Sequence, residues 1–220
     1  MKTFGIYMKV PLNIFQCGID KKMISLDLIE NNKEFNYFFF DENDCEKFIL
    51  HNYPDDVYKA YKLLIPFDYK IDLWKYCVLY KYGGIYIHHK FKDNIKMINL
   101  IDNNFFVNYK NYYYNKLLIN TDFIITKINN PIFMIAINEI IKNVNNKYYG
   151  IDVTYPTGAG LLGKIFKENN YKAYLNYDGK NISFKKTIIM KTKDNYQDDN
   201  YTFSLWITKN IYISNNYAKN

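Results

Sequence analysis

The sequence contains no arginine, so all 29 of its basic side chains are lysines. With 22 acidic residues they give a formal net charge of +7. A net positive charge favours nucleic-acid binding, but proteins that read base edges normally use arginine, and these lysines are scattered. We therefore attribute the charge to an AT-rich genome, such as that of a giant virus, and expect no nucleic-acid partner. A lysine-rich nucleic-acid-binding protein is the rival interpretation.

Cysteine and long apolar runs are also scarce. Cys17, Cys45 and Cys77 form an odd set without the spacing of a metal site, which is typical of reduced thiols in the cytoplasm. No window approaches the roughly 20 apolar residues that span a bilayer, and Met1–Pro11 lacks the apolar core of a signal peptide. These absences predict a protein without a transmembrane segment, located in the cytoplasm of a host cell or in a virion.

The rest of the composition is that of a folded protein, with 49% hydrophobic and 19% aromatic residues. A chain of 220 residues is long enough for one substantial core, so we expect a single domain over residues 1–220. Strand-like and helix-like segments alternate as far as Asn169, and strand-like segments and polar loops follow from Tyr171. This order predicts an α/β fold with a mostly parallel central sheet and flanking helices.

One segment, Lys70–Lys90, carries most of the functional information. Its apolar spacing predicts a helix that is capped by Asp68, ends at Gly83 and leads into a short buried strand, Ile85–Ile87. The polar residues His88–Lys90 follow at once. In α/β proteins ligands bind at the carboxyl ends of strands, so we expect chemistry at this point.

The segment resembles the signature of glycosyltransferase family 32, Ala-Asp-x-x-Arg-Tyr-x-x-Leu-x-x-x-Gly-Gly-Ile-Tyr-x-Asp-x-Asp. The matching residues are Asp72, Lys75, Tyr76, Leu79, Gly83, Gly84, Ile85 and Tyr86. The two acidic positions of the family's Asp-x-Asp (DXD) pair hold His88 and Lys90 instead. Weaker likenesses to the family, covering nearly the whole chain, include Asn120, Thr157-Gly158 and Trp206.

The resemblance implies a GT-A-type nucleotide-sugar-binding fold and the activity of a hexosyltransferase. The donor would be a UDP- or GDP-hexose and the acceptor a hydroxyl group of a glycan or a protein. The resemblance also implies retention of the anomeric configuration, and no side chain in the sequence is identifiable as a nucleophile.

The same resemblance implies roles for residues on the helix and strand. Asp72 would orient the donor sugar and Lys75 would help to hold it, although lysine lacks the bidentate fork of the family's arginine. Gly83 and Gly84 would let the backbone approach the ligand, and Tyr86 would contact the sugar. From the residue pattern alone, a surface ion pair is the alternative for Asp72 and Lys75, and a core aromatic is the alternative for Tyr86. A helix stop at Gly83-Gly84 is compatible with the role that the resemblance implies.

The weaker matches carry further implied roles. Asn120 would reach the sugar, Thr157-Gly158 would line the site, and Trp206 would donate its indole N–H to the leaving phosphate. A turn, a helix cap and a core side chain are the alternatives. Other residues able to supply a ligand or a base are Asp41, Asp44, Asp152 and Asp199.

The replaced acidic pair leaves two outcomes open. In the family the two carboxylates hold Mn²⁺ or Mg²⁺, which prefer oxygen ligands. Here His88 is the one candidate metal ligand, since Lys90 would repel a cation, and adjacent residues of a strand alternate faces. Either Lys90 with a protonated His88 replaces the metal as a fixed positive charge, or the chain is a weakened or inactive transferase-like binding protein. A scaffold or virion structural protein is a third interpretation.

Overall fold

The computed structural model describes residues 9–111, 116–194, 196 and 200–213. The strands of these parts of the chain are β1 (Asn13–Cys17), β2 (Asn36–Phe40), β3 (Gly84–Ile87), β4 (Phe91–Asp93), β5 (Phe105–Asn111), β6 (Lys116–Thr126), β7 (Leu175–Tyr177), β8 (Asn181–Phe184) and β9 (Thr187–Thr192). The α-helices are α1 (Leu26–Asn31), α2 (Glu42–Asn52), α3 (Asp55–Leu63), α4 (Phe67–Tyr82), α5 (Pro131–Asn145), α6 (Ala159–Glu168) and α7 (Tyr201–Ile207). Two 3₁₀ helices are Lys21–Met23 and Met97–Leu100. No helix within these ranges is both long and apolar enough to cross a membrane.

The described strands form one sheet in the order β2-β1-β3-β6-β5-β7-β8-β9-β4. The predicted α/β fold with a large sheet and flanking helices is confirmed. The prediction of a mostly parallel sheet is wrong, because three of the pairings within the described ranges are parallel and five are antiparallel. The segments that join β5 to β6, β7 to β8 and β8 to β9 are too short for the crossover that parallel pairing requires.

The antiparallel pairing of β3 with β6 places two distant parts of the chain side by side. Ile87 lies opposite Phe123, and the backbone N–H of the next residue, His88, donates to the carbonyl of Asp122 at 2.7 Å. The carboxyl end of β3 therefore lies beside the middle of β6, so that side chains from both strands meet there.

The sheet curves strongly beyond β3. Only His88–Lys90 separate β3 from β4, yet β4 pairs with β9 at the far edge of the sheet. The Lys193 N–H donates to the Lys90 carbonyl at 2.8 Å. The segment that was expected at an open strand end thus connects the interior strand β3 to the edge strand β4 of one curved sheet.

The junction between α4 and β3 follows the sequence closely. The helix ends at Tyr82, and the N–H of Gly83, with a φ of 58°, donates to the Leu79 carbonyl at 2.9 Å. Gly84 has a φ of 111°, and a Cβ there would lie 2.6 Å from the Asn13 carbonyl oxygen. Both positions therefore need glycine, and the predicted helix stop is confirmed.

The start of α4 and the presence of α7 both differ from what the sequence predicted. Asp68 lies in the first turn of α4 instead of capping it, since the helix already begins after Pro66. Its carboxylate accepts a hydrogen bond from Thr202 at 2.6 Å. Thr202 belongs to α7, a helix absent from the predicted tail of strands and loops. Its sequence, YTFSLWI, is poor in strong helix formers, so tertiary contacts hold it.

Candidate functional site

A cavity of about 500 Å³ opens where α4, β3, β6 and the start of α6 converge, with β5, β7 and α7 completing its wall. We call it the central cavity. Seven of the eleven predicted site residues line it, namely Asp72, Lys75, Tyr86, His88, Lys90, Asn120 and Gly158. The fold therefore collects most of the predicted residues in one place.

Asp72 and Lys75 form a buried ion pair on α4. Lys75 Nζ lies 3.0 Å from Asp72 Oδ1, and the two side chains are 3% and 10% exposed. Thr157 Oγ1 donates to the other carboxylate oxygen of Asp72 at 2.8 Å, and Lys75 also donates to the Thr121 carbonyl at 3.1 Å. A surface ion pair is thereby excluded, and each charge has a defined orientation at the cavity wall.

The predicted Thr157-Gly158 turn lies against this pair. Gly158 is the N-cap of α6 and makes no side-chain cap. A Cβ at Gly158 would lie 3.0 Å from Asp72 Oδ2, so the glycine allows a close approach. The Tyr76 hydroxyl donates to the Thr157 carbonyl at 3.0 Å and fixes the turn. The Thr157 side chain therefore positions Asp72 and does not cap the helix, whereas the Thr154 hydroxyl accepts from the backbone N–H of Gly160 in the first turn of α6 at 3.1 Å.

Tyr86 is a core residue and a cavity residue at once. Its ring contacts the edge of Trp74, with centroids 6.2 Å apart, and Lys75 Nζ lies 4.5 Å from its ring centroid. Its hydroxyl is buried without a hydrogen-bond partner among the described residues, and this burial raises the pKa of Tyr86 well above its usual value. A buried hydroxyl without a partner is unfavourable, and a ligand in the cavity would relieve it.

A carboxylate that the sequence analysis did not select lies at the replaced acidic pair. Lys90 Nζ donates to Asp122 Oδ2 on β6 at 2.5 Å, and the Asp122 N–H donates to Asn120 Oδ1 at 2.9 Å. Burial would raise the pKa of Asp122, but the positive charges of Lys90 and Lys75 outweigh it and hold that pKa well below its usual value. The signal in the sequence was the spacing of Asn120 and Asp122, which places both on one face of a strand.

The two histidines lie side by side, with ring centroids 4.1 Å apart. The expected alternation of faces is wrong, because the strand has ended at Ile87. His88 Nδ1 accepts from the backbone N–H of Lys90 at 3.1 Å, so the proton of the neutral ring is on Nε2. Burial lowers the pKa of His88 to about 3. The predicted protonated His88 is therefore absent at neutral pH, and Lys90 is the cation of this segment.

The residues at this point do not fit a hard divalent cation. The described parts of the chain contain no group of three or more His, Cys, Asp or Glu side chains that could hold a metal ion. His88 offers one imidazole, and the ammonium of Lys90 lies against Asp122. Mn²⁺ and Mg²⁺ prefer several oxygen ligands. Here the one nearby carboxylate is that of Asp122, and the ammonium group of Lys90 already neutralises it.

Four predicted residues do not line the cavity, namely Gly83, Gly84, Thr157 and Trp206. Gly83 and Gly84 lie at the opposite end of β3 from His88, where they permit close packing against the neighbouring backbone. Trp206 donates its indole N–H to the Tyr149 carbonyl at 2.5 Å. Its ring stacks on Phe203, with centroids 6.2 Å apart, and it is Phe203 that reaches the cavity.

The four unassigned aspartates have other places. Asp41 and Asp44 form a reciprocal capping box at the start of α2. Asp152 accepts from the Thr154 hydroxyl at 2.6 Å. Asp199 lies outside the described residues.

Comparisons with known proteins give a match to part of this chain and a likeness of its fold. Residues 21–103 match the family model described as a glycosyltransferase sugar-binding region containing DXD motif. Over that range the chain carries a glycosyltransferase-like sugar-binding region. The matched range includes α4, β3 and His88–Lys90 but ends before Asn120 and Asp122. A comparison with curated proteins found no match.

The fold is similar to that of a solved glycosyltransferase structure. The chain is similar to the solved structure of "PaToxG Glycosyltransferase", with a TM-score of 0.56 and 16% sequence identity over 73% of this chain and 69% of that chain. At this identity the likeness concerns the fold alone. It agrees with the predicted GT-A-type architecture, in which helices flank a large sheet.

Proposed function

We propose that this protein transfers a hexosyl group from a nucleotide sugar, such as a UDP- or GDP-hexose, to a hydroxyl group of a glycan or protein acceptor. The observation that carries the proposal is the buried network of Asp72, Lys75 and Thr157 at the wall of the central cavity. The network falls partly within the sugar-binding region. A cavity of about 500 Å³ is in the size range of small-molecule sites.

In this proposal each wall residue has a defined task. Asp72 accepts hydrogen bonds from donor-sugar hydroxyls, and Lys75 holds that carboxylate in its orientation. The unpartnered hydroxyl of Tyr86 and the amide of Asn120 complete the polar contacts. Buried polar groups of this kind reject sugars that cannot pair with them. Transfer proceeds with retention of configuration.

A second candidate function is donor binding without transfer. It is favoured by one observation, the presence of His88 and Lys90 at the two positions where the family resemblance places carboxylates. Both candidates require an occupied cavity, and they differ in whether bound donor is consumed.

We also propose that residues 1–220 act as one domain in the cytoplasm of a host cell. One continuous sheet that includes strands from residue 13 to residue 192 supports the single domain.

The first test is a thermal-shift panel of UDP, GDP and their hexose conjugates. A ligand that binds only the folded state raises the melting temperature, with a stabilisation of about 2.7 kcal/mol at a hundredfold excess over Kd. We expect a shift with one nucleotide family, abolished in Asp72→Asn. Asp55→Asn is the matched control, because Asp55 is an exposed carboxylate on α3.

Consumption of the donor then separates the two candidates. Release of nucleoside diphosphate that depends on added acceptor supports transfer, and binding without release supports the binding protein. If no donor shifts the melting temperature of the native protein, the proposed function is wrong.

A further inference from the structure

The two DXD positions of this chain lack the carboxylates that would hold a metal ion. The resemblance places carboxylates at positions 88 and 90, and the chain has His88 and Lys90 there. A carboxylate is nevertheless present at this point, because Asp122 reaches it from the neighbouring strand β6. A carboxylate therefore lies beside position 90, although it comes from another part of the sequence.

The ammonium group of Lys90 occupies the position beside that carboxylate. The Lys90 and Asp122 side chains are 11% and 22% exposed. Lys90 Nζ also lies 5.3 Å from the ring centroid of Phe91 and 6.0 Å from that of Tyr177. A charge held between a carboxylate and aromatic faces has little freedom to move, so a cation is fixed at the cavity wall without a metal.

The neighbouring contacts fix Asp122 in turn. Its backbone N–H donates to Asn120, and its carbonyl accepts from the His88 N–H. The backbone pairing of β3 with β6 therefore sets where the carboxylate lies, and the carboxylate sets where the ammonium lies.

We propose that the Lys90–Asp122 ion pair takes the place of a divalent cation, so that this protein binds the diphosphate of its donor without metal and Asp122 is the positioning residue for Lys90. The donor part of this inference rests on the proposed function. The cation part concerns the chain alone and is testable without any donor.

A direct consequence is that one substitution should create a metal site. In Lys90→Asp the new carboxylate would meet Asp122 and the imidazole of His88 without an intervening cation. Two carboxylates and one imidazole form a ligand set that Mn²⁺ accepts. Without metal, the two carboxylates would repel one another.

The experiment is Mn²⁺ titration by calorimetry and by thermal shift, with the native protein, Lys90→Asp and Lys90→Asp/Asp122→Asn. We expect Lys90→Asp to bind Mn²⁺ at least tenfold more tightly than the other two, and to recover on Mn²⁺ addition the melting temperature that it loses in EDTA. The proposal would be overturned if Lys90→Asp bound Mn²⁺ with the same affinity as the native protein. It would also be overturned if a folded Lys90→Asp showed no rise in melting temperature on Mn²⁺ addition.

Two further measurements keep the proposal testable if Lys90→Asp does not fold. Lys90→Asn supplies a neutral amide oxygen and should gain a smaller Mn²⁺ response, and a folded Lys90→Asn without any gain contradicts the proposal. The donor-induced thermal shift of the native protein should be the same in EDTA and in Mn²⁺, and loss of that shift in EDTA contradicts metal-free binding. Absence of any donor shift defeats the proposed function but leaves the Mn²⁺ comparison intact.

Discussion

Asp72 and Lys75 are buried side chains whose charges depend on each other. Asp72 has Thr157 as a second partner, and Lys75 has the Thr121 carbonyl and the Tyr86 ring. Removal of one partner of a buried pair leaves an uncompensated charge with a large desolvation penalty, whereas removal of both does not.

This asymmetry gives a prediction for a double-mutant cycle. We expect Lys75→Met and Asp72→Asn each to lower the free energy of unfolding by about 3 kcal/mol. The double variant should cost less than the sum by more than about 1 kcal/mol, since the two residues are in contact. Urea unfolding of the four proteins measures the coupling, and strictly additive values would contradict a mutual dependence.

His88 gives a second prediction, on the pH dependence of stability. Its pKa is about 3 in the folded protein and about 6.5 in an unfolded chain. Between these values the unfolded state binds more protons, so stability falls as pH decreases from about 6.5 towards 3, by at most about 1.4 kcal/mol per pH unit. Below both values the penalty stays constant.

Urea unfolding at pH 7, 6 and 5 tests this sign, with His88→Asn as the comparison. We expect the native protein to lose stability faster than the variant over this interval. Parallel slopes for the two proteins would show that His88 titrates with the same pKa in the folded and the unfolded states.

At the scale of elements, the helix–strand junction was the most predictable part of the molecule. A helical apolar pattern interrupted by Gly83-Gly84 is a local signal, and local signals specify α4 and β3. The partners of that junction are not local. Asp122 enters the site because β6 pairs with β3, and α7 is held against the rest of the protein by contacts that include the hydrogen bond from Thr202 to Asp68. Neither contact partner can be identified from the local sequence, which at β6 gives only the shared face of Asn120 and Asp122.

The junction also gives a prediction about packing. Gly84→Ala would place a Cβ 2.6 Å from the Asn13 carbonyl oxygen at a φ of 111°, whereas Gly179 has a φ of 96° with no atom within 4 Å of an added Cβ. Both substitutions strain the backbone, and only the first also forces β3 away from β1. We expect Gly84→Ala to cost about 2 kcal/mol more than Gly179→Ala.

Thermal and urea unfolding of the two variants measure this difference. Equal losses of stability would mean that backbone conformation alone, and not the approach of β1, requires glycine at position 84.

At the scale of the whole molecule, the distribution of charge matters more than its sum. The formal net charge is +7, yet the described wall of the central cavity combines Asp68, Asp72 and Asp122 with Lys75 and Lys90, three negative charges against two positive. The excess of lysine therefore lies elsewhere on the protein.

This separation predicts two different responses to salt. Binding of oligonucleotides to the exposed lysines should be independent of base sequence and should fall steeply between about 50 and 200 mM salt. Donor binding in the cavity should change much less, because buried charges are screened weakly. Fluorescence anisotropy with labelled oligonucleotides measures the first response, and tight binding that resists salt would restore the nucleic-acid interpretation.

The distances along the chain between hydrogen-bond partners also determine when these contacts can form during translation. Asp72 and Thr157 are 85 residues apart, and Asp68 and Thr202 are 134 residues apart. At about 5 to 20 residues per second, a ribosome needs roughly 4 to 17 s to proceed from Asp72 to Thr157. For that interval Asp72 on the nascent α4 lacks its hydrogen bond from Thr157, although Lys75 is already beside it, and the cavity is among the last features the growing chain acquires.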